Sequence, residues 1–172
     1  MTQHHVILTG FMGVGKTTIG REVASQLQRP FVDLDDAIEA ETKSDISTIF
    51  AERGERGFRA IESQTLRKVI RRRTPAVIAT GGGTACAPEN LSQMLRSGHV
   101  ICLDASAAMC WERICADGVR RPLADGAGVE AVERLWRERR AAFATIPVHV
   151  NVEGQSPHEL AHHIISIIQP VV

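Results

Sequence analysis

The feature that most constrains this chain is a glycine-rich segment close to its N-terminus. Residues 10–17 match the pattern G-x-x-x-x-G-K-[ST] at every position. The apolar run 6–8 before them predicts a buried strand, and apolar residues at helical spacing between Ile19 and Leu27 predict a helix after them. Because strand, loop and helix stand in the order that gives this pattern its meaning, the segment predicts a phosphate-binding loop rather than an ordinary glycine-rich turn.

The residue types in this loop suit a nucleotide with its magnesium ion. The glycines allow successive backbone N–H groups to point inward and form an anion-binding nest at the start of a helix. Lys16 would place a positive charge on the outer phosphates, and the Thr17 hydroxyl would supply one oxygen to Mg²⁺. We therefore expect a bound nucleoside triphosphate with Mg²⁺.

Strand and helix patterns alternate along the whole chain. Strands are predicted at 5–9, 31–34, 76–79, 99–103 and 148–150, and helices at 16–28, 36–42, 46–52, 59–73, 88–97, 107–115, 129–143 and 157–168. Gly54 and Gly57 are predicted to break the third and fourth helices apart, so that Arg59 stands at a helix start. This alternation predicts an α/β protein, a three-layer P-loop NTPase fold around a parallel sheet of about five strands. The length of 172 residues predicts one domain spanning 1–172.

In such a sheet, ligands bind beyond the carboxyl ends of the strands. The glycine loop, the acids that follow the second strand, and the triple glycine 81–83 that follows the third are therefore expected on one rim. Asp33 and Asp35 can divide the work, one organising Mg²⁺ and the other accepting hydrogen bonds from an acceptor hydroxyl. The same acids also suit the first turn of a helix with an N-cap, and the pattern alone leaves both interpretations open.

Residues 116–128 contain several glycines and are predicted to form a mobile lid. Within them, Arg120 and Arg121 could deliver a positive charge to a phosphoryl group in transfer when the lid closes. The alternative is a basic loop exposed to solvent. The sequence lacks the guanine-reading pattern N-K-x-D, which disfavours a GTPase switch.

Composition limits the partners and the compartment. Twenty basic residues balance twenty acidic ones, so no overall field draws the chain to nucleic acid or to an anionic membrane, and neither is expected as a partner. The four cysteines form no C-x-x-C pair and three lie in or beside apolar runs, which predicts buried, reduced thiols. No stretch is typical of a secretory leader or a membrane span. We expect a cytoplasmic protein and a monomer.

Several motifs taken together resemble the shikimate kinase family. They stand in that family's order and spacing over nearly the whole chain, at 10–20, 33–35, 49–55, 58–62, 80–83 and 121–123. The resemblance implies ATP- and Mg²⁺-dependent phosphorylation of the 3-hydroxyl of shikimate, a step in aromatic amino acid biosynthesis. It also implies a nucleoside-monophosphate-kinase-like fold with a substrate-binding region at about 33–62 and a lid at about 116–128.

The resemblance implies a role for each matching residue. Lys16 would bind phosphates, Asp35 would bind the ring hydroxyls and act as base, and Arg121 would be the lid cation. The nucleotide contacts implied are Gly13, Val14, Gly15, Lys16, Thr17, Thr18, Arg113, Arg121 and Gln155. Thr17 and Asp33 would serve the metal, Arg59 would grip the shikimate carboxylate, and the remaining substrate contacts implied are Asp35, Gly81, Gly82, Gly83 and Arg139.

The second carboxylate arginine lies where this chain departs from the family. The family pattern Arg-x-Pro-Leu-Tyr is replaced at residues 139–143 by Arg-Arg-Ala-Ala-Phe. Arg139 fits the pattern, and Arg137 or Arg140 could take its place. Lid packing around Ala124 is also expected to be looser, since the family has leucine there.

A different motif lies in the last predicted helix. Residues 158–162 read H-E-x-x-H, which places His158 and His162 one helical turn apart, as in zinc proteases. The same letters form a capping box in which Ser156 begins the helix and Glu159 caps it. We favour the capping box, because only ten residues follow the motif and no spaced third ligand is available.

Three functions from different classes remain open at this point. Shikimate phosphorylation leads, and a kinase of another small hydroxylated acid such as gluconate comes second. A non-catalytic nucleotide-binding regulator is third, and only the departures after Arg139 favour it.

Overall fold

A computed structural model describes residues 4–117 and 128–169 of the chain. Its elements, in chain order, are β1 (His5–Gly10), α1 (Lys16–Leu27), β2 (Phe31–Asp33), α2 (Leu34–Thr42), α3 (Ile46–Ile70), β3 (Val77–Ala79), a 3₁₀ turn (Thr84–Cys86), α4 (Pro88–Ser97), β4 (Gly98–Asp104), α5 (Ala107–Asp117), α6 (Gly128–Phe143), β5 (Val148–Asn151) and α7 (Pro157–Ile168).

The five strands form one parallel sheet in the order β2-β3-β1-β4-β5. β1 lies in the centre, where Leu8 is level with Ala79 on one side and Ile101 on the other. Every residue of β1 is buried, which explains its apolar composition, since a central parallel strand is covered on both faces. The predicted α/β class and the five-stranded parallel sheet are confirmed.

Helices cover the sheet on both faces. α1 packs against α7 and lies so close to the sheet that a Cβ at Gly20 would come within 2.6 Å of the Phe31 ring. α4 packs against β4 and α3, and α6 packs against α5 and the 3₁₀ turn. Because the five strands are parallel, their carboxyl ends lie at one rim of the sheet. The loops at this rim carry the predicted site residues.

The region between β2 and β3 differs from its predicted helix boundaries. α2 begins at Leu34, two residues early, because the Asp33 side chain caps it by accepting the backbone N–H of Asp35 at 3.0 Å. α3 contains a kink at Gly54 (φ 64°, ψ 179°), which confirms the predicted break between two helices, but the second helix resumes directly after Gly54 and not at about residue 59. Arg59 therefore lies beyond the first turn after the kink and not at a helix start, so the helix dipole has little influence on it.

The start of the predicted lid also shifts. α5 continues to Asp117 and α6 begins at Gly128, so both ends of the predicted segment 116–128 are helical. Residues 118–127, with Arg120, Arg121 and Ala124, lie outside the described residues.

The H-E-x-x-H segment forms the capping box. Ser156 is the N-cap of α7, and the Glu159 carboxylate accepts hydrogen bonds from the backbone N–H and the hydroxyl of Ser156 at 2.8 and 2.7 Å. His158 turns to α1, where its Nδ1 lies 2.9 Å from Glu22 Oε1. Glu159 therefore has a structural role, as the capping-box interpretation predicted.

All four cysteines are free thiols, but they are not all buried as predicted. Cys102 and Cys110 are buried, Cys86 is half-buried and Cys115 is exposed. Among the helices of residues 4–117 and 128–169, none combines the length and the apolar character that crossing a bilayer requires.

Candidate active site

A cavity of about 720 Å³ opens at the rim formed by the strand ends. The phosphate loop, the segments after β2 and β3, and α3 all contribute residues to its lining. The predicted site residues that line it are Gly13, Gly15, Lys16, Thr17, Thr18, Asp33, Asp35, Arg59, Gly81, Gly82, Gly83, Arg113, Arg139 and Gln155. Val14 lies beneath the loop with its side chain fully buried. The tertiary structure thus gathers residues from seven separate parts of the sequence into one cavity.

The phosphate loop has the backbone that its glycines predict. Gly13 and Gly15 have φ angles of 77° and 105°, which side-chain-bearing residues rarely adopt. The Lys16 ammonium donates hydrogen bonds to the carbonyl oxygens of Gly10 and Phe11, both at 2.9 Å. These two bonds hold the ammonium against the loop, where the outer phosphates of a nucleotide would lie.

One carboxylate joins the loop to the second strand. The Thr17 hydroxyl donates a hydrogen bond of 2.7 Å to Oδ2 of Asp33, while Oδ1 of Asp33 caps α2. The two interpretations of the acidic cluster are therefore compatible, because different oxygens of Asp33 are involved. Asp33 Oδ2 and the Thr17 hydroxyl are thus two hard oxygen atoms side by side next to the phosphate loop.

Asp35 is the titratable group with the most unusual environment in the cavity. Burial, and secondarily the negative charges of Asp33 and Glu62, raise the pKa of Asp35 to about 6. Its Oδ1 is buried and has no hydrogen-bond partner among the described residues. A carboxylate that faces a cavity, lacks a partner and has a pKa close to neutrality is suited to accept a proton from a ligand.

Arg59 is fixed by acids on its own helix. Its guanidinium donates to Glu62 at 2.8 Å and to Glu55 at 3.4 Å. Glu62 is 1% exposed and also accepts the Thr84 hydroxyl at 2.7 Å, whereas Glu55 is 57% exposed. The motif at 58–62 includes Glu62 without indicating its role, but its position three residues after Arg59 predicts this helical ion pair.

The triple glycine leaves room that a side chain would fill. A Cβ at Gly81 would lie 2.7 Å from Glu62 Oε1 and 3.2 Å from Asp35 Oδ1. A Cβ at Gly83 would lie 2.6 Å from an Arg59 nitrogen, and one at Gly82 would lie 3.0 Å from the backbone nitrogen of Met12. The segment therefore brings bare backbone between the carboxylates and the arginines.

Arg139 is the arginine of α6 that reaches the cavity. It is 8% exposed, donates to the Gly82 carbonyl at 3.0 Å and lies over the Phe11 ring at 5.7 Å. Burial lowers its pKa, and the charge of Arg59 acts in the same direction. Arg137 instead pairs with Glu133 on the surface, and Arg140 lies against Trp136.

Arg113 and Gln155 are the remaining predicted nucleotide contacts, and a backbone carbonyl group holds each of them. Arg113 donates to the Val14 carbonyl at 2.7 Å, and the Gln155 amide donates to the Asn151 carbonyl at 2.9 Å. Both side chains line the same cavity as the phosphate loop.

Comparison with known proteins identifies relatives of this chain in sequence and in structure. A model of the shikimate kinase family matches residues 12–169. A shikimate kinase from Synechococcus sp. (strain CC9902) is 39% identical over 97% of this chain and 87% of its own length. The structure of a shikimate kinase from Acinetobacter baumannii in complex with shikimate has a TM-score of 0.91 at 30% identity, covering 97% of this chain and 93% of that one.

The fold is also shared with a gluconokinase from Sinorhizobium meliloti, at a TM-score of 0.62 and 14% identity over 95% of this chain and 90% of that one. At that identity, the likeness concerns the fold alone. The family match, in contrast, extends from the phosphate loop to the end of α7. The chain belongs to the shikimate kinase family.

Proposed function

We propose that the protein transfers the γ-phosphoryl group of ATP to the 3-hydroxyl of shikimate, giving shikimate 3-phosphate and ADP. The observation that carries this proposal is the lining of one cavity, which holds a phosphate loop, the Asp35 carboxylate, the half-buried Arg59 and the buried Arg139. A phosphate donor, a proton acceptor and two groups for a carboxylate are the parts that phosphorylation of a hydroxylated acid needs.

The nucleotide would bind along the loop. Backbone N–H groups at the start of α1 and the Lys16 ammonium would hold the phosphates. Fixed hydrogen-bond donors of this kind best stabilise the negative charge that is spread over the phosphoryl oxygens. Arg113 and Gln155, which line the same cavity, would contact the nucleoside. Val14 and Thr18 would contribute to the loop from their positions within it.

Mg²⁺ fits the oxygens at the mouth of the loop. The Thr17 hydroxyl and Asp33 Oδ2 are hard oxygen atoms of the kind that Mg²⁺ prefers, and Oδ2 has no role in capping α2. When bound, the ion would neutralise charge on the nucleotide phosphates. Asp33 would hold it through metal-bound water.

The acceptor hydroxyl would donate a hydrogen bond to Asp35 and give up its proton there. Because the pKa of Asp35 is about 6, the side chain is mostly a carboxylate at pH 7 yet basic enough to take the proton as the phosphoryl group transfers. The bare backbone of Gly81–Gly83 would admit the substrate ring next to this carboxylate.

Two guanidinium groups would bind the substrate carboxylate. Glu62 fixes one edge of the Arg59 fork, whereas the contact with the exposed Glu55 is long enough for a substrate carboxylate to replace it. Arg139 approaches from α6, and a bound anion would relieve the mutual repulsion of the two arginines. Of the three arginines that the sequence left open, we propose Arg139 for this role.

The lid cation remains a proposal from the sequence. Arg121, within the predicted lid at 116–128, would bring positive charge to the transferring phosphoryl group. We also propose a cytoplasmic monomer without a nucleic acid or membrane partner, which its free cysteines and balanced charge support.

An ADP-release assay over a panel of hydroxylated acids tests the proposed function. With ATP and Mg²⁺ present, we expect turnover with shikimate and little with gluconate. Preference for gluconate would favour the second candidate, and no turnover with any acid despite ATP binding would favour the non-catalytic regulator.

Exchanging Arg59 for lysine tests the carboxylate site. Arg59→Lys keeps the charge but loses the planar fork, so we expect shikimate binding to weaken by about 1–3 kcal/mol, with ATP binding unchanged. Separate titrations of shikimate and ATP measure the two effects. Arg56→Lys, an exposed neighbour on the same helix, is the matched control. Unchanged shikimate affinity in Arg59→Lys would remove Arg59 from the site.

A further inference from the structure

Three side chains with atoms that can bind a metal ion lie together on the neighbouring strands β4 and β5. Cys102 of β4 is directly level with His149 of the neighbouring strand β5. Asp104 lies two residues after Cys102, and residues two apart on a strand point to the same face. The parallel register therefore brings Cys102, Asp104 and His149 together on one face, and none of them lines the active-site cavity.

The distances are close to those of a metal centre. One potential ligand atom from each residue lies within 4.8 Å of the other two. The Cys102 thiol donates to Asp104 Oδ1 at 3.6 Å, and His149 Nδ1 lies 2.7 Å from Asp104 Oδ2. Bond lengths of about 2.0–2.3 Å around a tetrahedral zinc ion separate its ligand atoms by roughly 3.3–3.8 Å. The first distance already fits, and the second, which involves the other Asp104 oxygen, would open by roughly 0.6 Å when an ion replaces the shared hydrogen.

The burial of the three residues suits an ion that enters from solvent. Cys102 is fully buried, whereas the side chains of Asp104 and His149 are 45% and 34% exposed. An ion bound here would have the sulfur beneath it and open positions for water above it. We propose that Cys102, Asp104 and His149 form a site for one zinc-class transition-metal ion that joins β5 to β4.

The donor set determines the class of metal. A thiolate, an imidazole and a carboxylate together match the sulfur, nitrogen and oxygen ligands of Zn²⁺ and Co²⁺, whereas Mg²⁺ and Ca²⁺ prefer oxygen alone. Binding would release the thiol proton of Cys102 to solvent, because the thiolate is the form that binds metal. The plainer alternative is a surface contact between His149 and Asp104 with a buried thiol below it.

Cobalt spectroscopy on the full chain distinguishes these alternatives. We expect Co²⁺ to produce a thiolate-to-cobalt charge-transfer band at one ion per chain, and Zn²⁺ to abolish it by displacement. Cys102→Ser should lose the band, whereas Cys115→Ser, which removes the exposed thiol, should keep it. A band that survives in Cys102→Ser or disappears in Cys115→Ser would overturn the proposal.

Zinc affinity provides a second measurement that does not depend on the buried cysteine. Competition with a chromophoric chelator should show that Zn²⁺ binding is weakened at least about tenfold in His149→Ala. Losing even a residue that only supports a metal ligand commonly has an effect of this size. His158→Ala, which removes one member of the exposed histidine pair on α7, is the control and should retain full affinity. Equal affinity in His149→Ala and the unaltered chain, or a loss confined to His158→Ala, would contradict the site.

Discussion

Replacing Lys16 by alanine is expected to abolish measurable phosphoryl transfer, with kcat reduced at least about 10²-fold. The ammonium is held at the loop by the carbonyl groups of Gly10 and Phe11, so it is already in place before charge develops on the phosphoryl oxygens. A group that needs no rearrangement contributes most to the transition state. Steady-state kinetics of ADP release with shikimate measures the effect.

The control for this variant is Lys68→Ala. Lys68 is 55% exposed on α3 and pairs with Glu41, away from the cavity. We expect its kinetics to be unchanged. Retention of more than about a tenth of the rate in Lys16→Ala would contradict the proposed role, since one such contact is commonly worth about 10²-fold or more.

Asp35→Asn is the second variant with a large expected effect. An amide can still accept a hydrogen bond from the acceptor hydroxyl but cannot take its proton, so we expect kcat to fall by about 10²–10⁴-fold with ATP affinity nearly unchanged. Single-turnover kinetics and a separate ATP titration measure the two quantities. If the change appears instead in the magnesium dependence, the roles of Asp33 and Asp35 are reversed.

The raised pKa of Asp35 also predicts two effects of pH. In the unaltered protein, kcat/KM should rise as the pH increases through about 6, because the carboxylate is the active form. A folded-state pKa above the unfolded value of 3.8 means that the contribution of Asp35 to stability declines as the pH rises from about 4 to about 6. Asp35→Asn removes this cost, so it should be at least as stable as the unaltered protein at pH 7 to 8.

Asp36→Asn is the matched control for these measurements. Asp36 is the exposed neighbour of Asp35 in the first turn of α2. Its substitution should leave kcat and the pH profile unchanged. A thermal melting series across pH 4 to 8, run on both variants, separates loss of a base from loss of fold. A marked fall in the melting temperature of Asp35→Asn at pH 8 would contradict the environment described for this carboxylate.

The phosphate loop and the element order were predictable because their signals are local. The angles of Gly13 and Gly15 depend on the residue type itself, and the apolar residues of β1 reflect burial on both faces of a central strand. The rule that ligands bind at the carboxyl ends of parallel strands then placed the loop, Asp33 and Asp35 on one rim. The capping box of α7 was predictable for the same reason, since all of its atoms lie within one turn.

Helix boundaries were harder to predict from the sequence, because they depend on side-chain contacts. Gly54 and Gly57 together predicted one break between two helices, and of the two only Gly54 leaves the helical region. Gly57 stays in the helix, where a Cβ would meet the Arg53 side chain. A glycine marks a possible break, and packing decides whether it is used.

The sequence by itself determined the phosphate loop, the α/β class and the family, because local residue types and the order of motifs carry those signals. Only the tertiary structure distinguished Arg139 from Arg137 and Arg140. All three lie on one charged helix, and Arg139 is the one on the face that packs against Gly82. The tertiary structure also gave Asp35 its raised pKa and brought Cys102 level with His149, 47 residues away in the chain. Desolvation and strand register arise from segments far apart in sequence, so no local pattern encodes them.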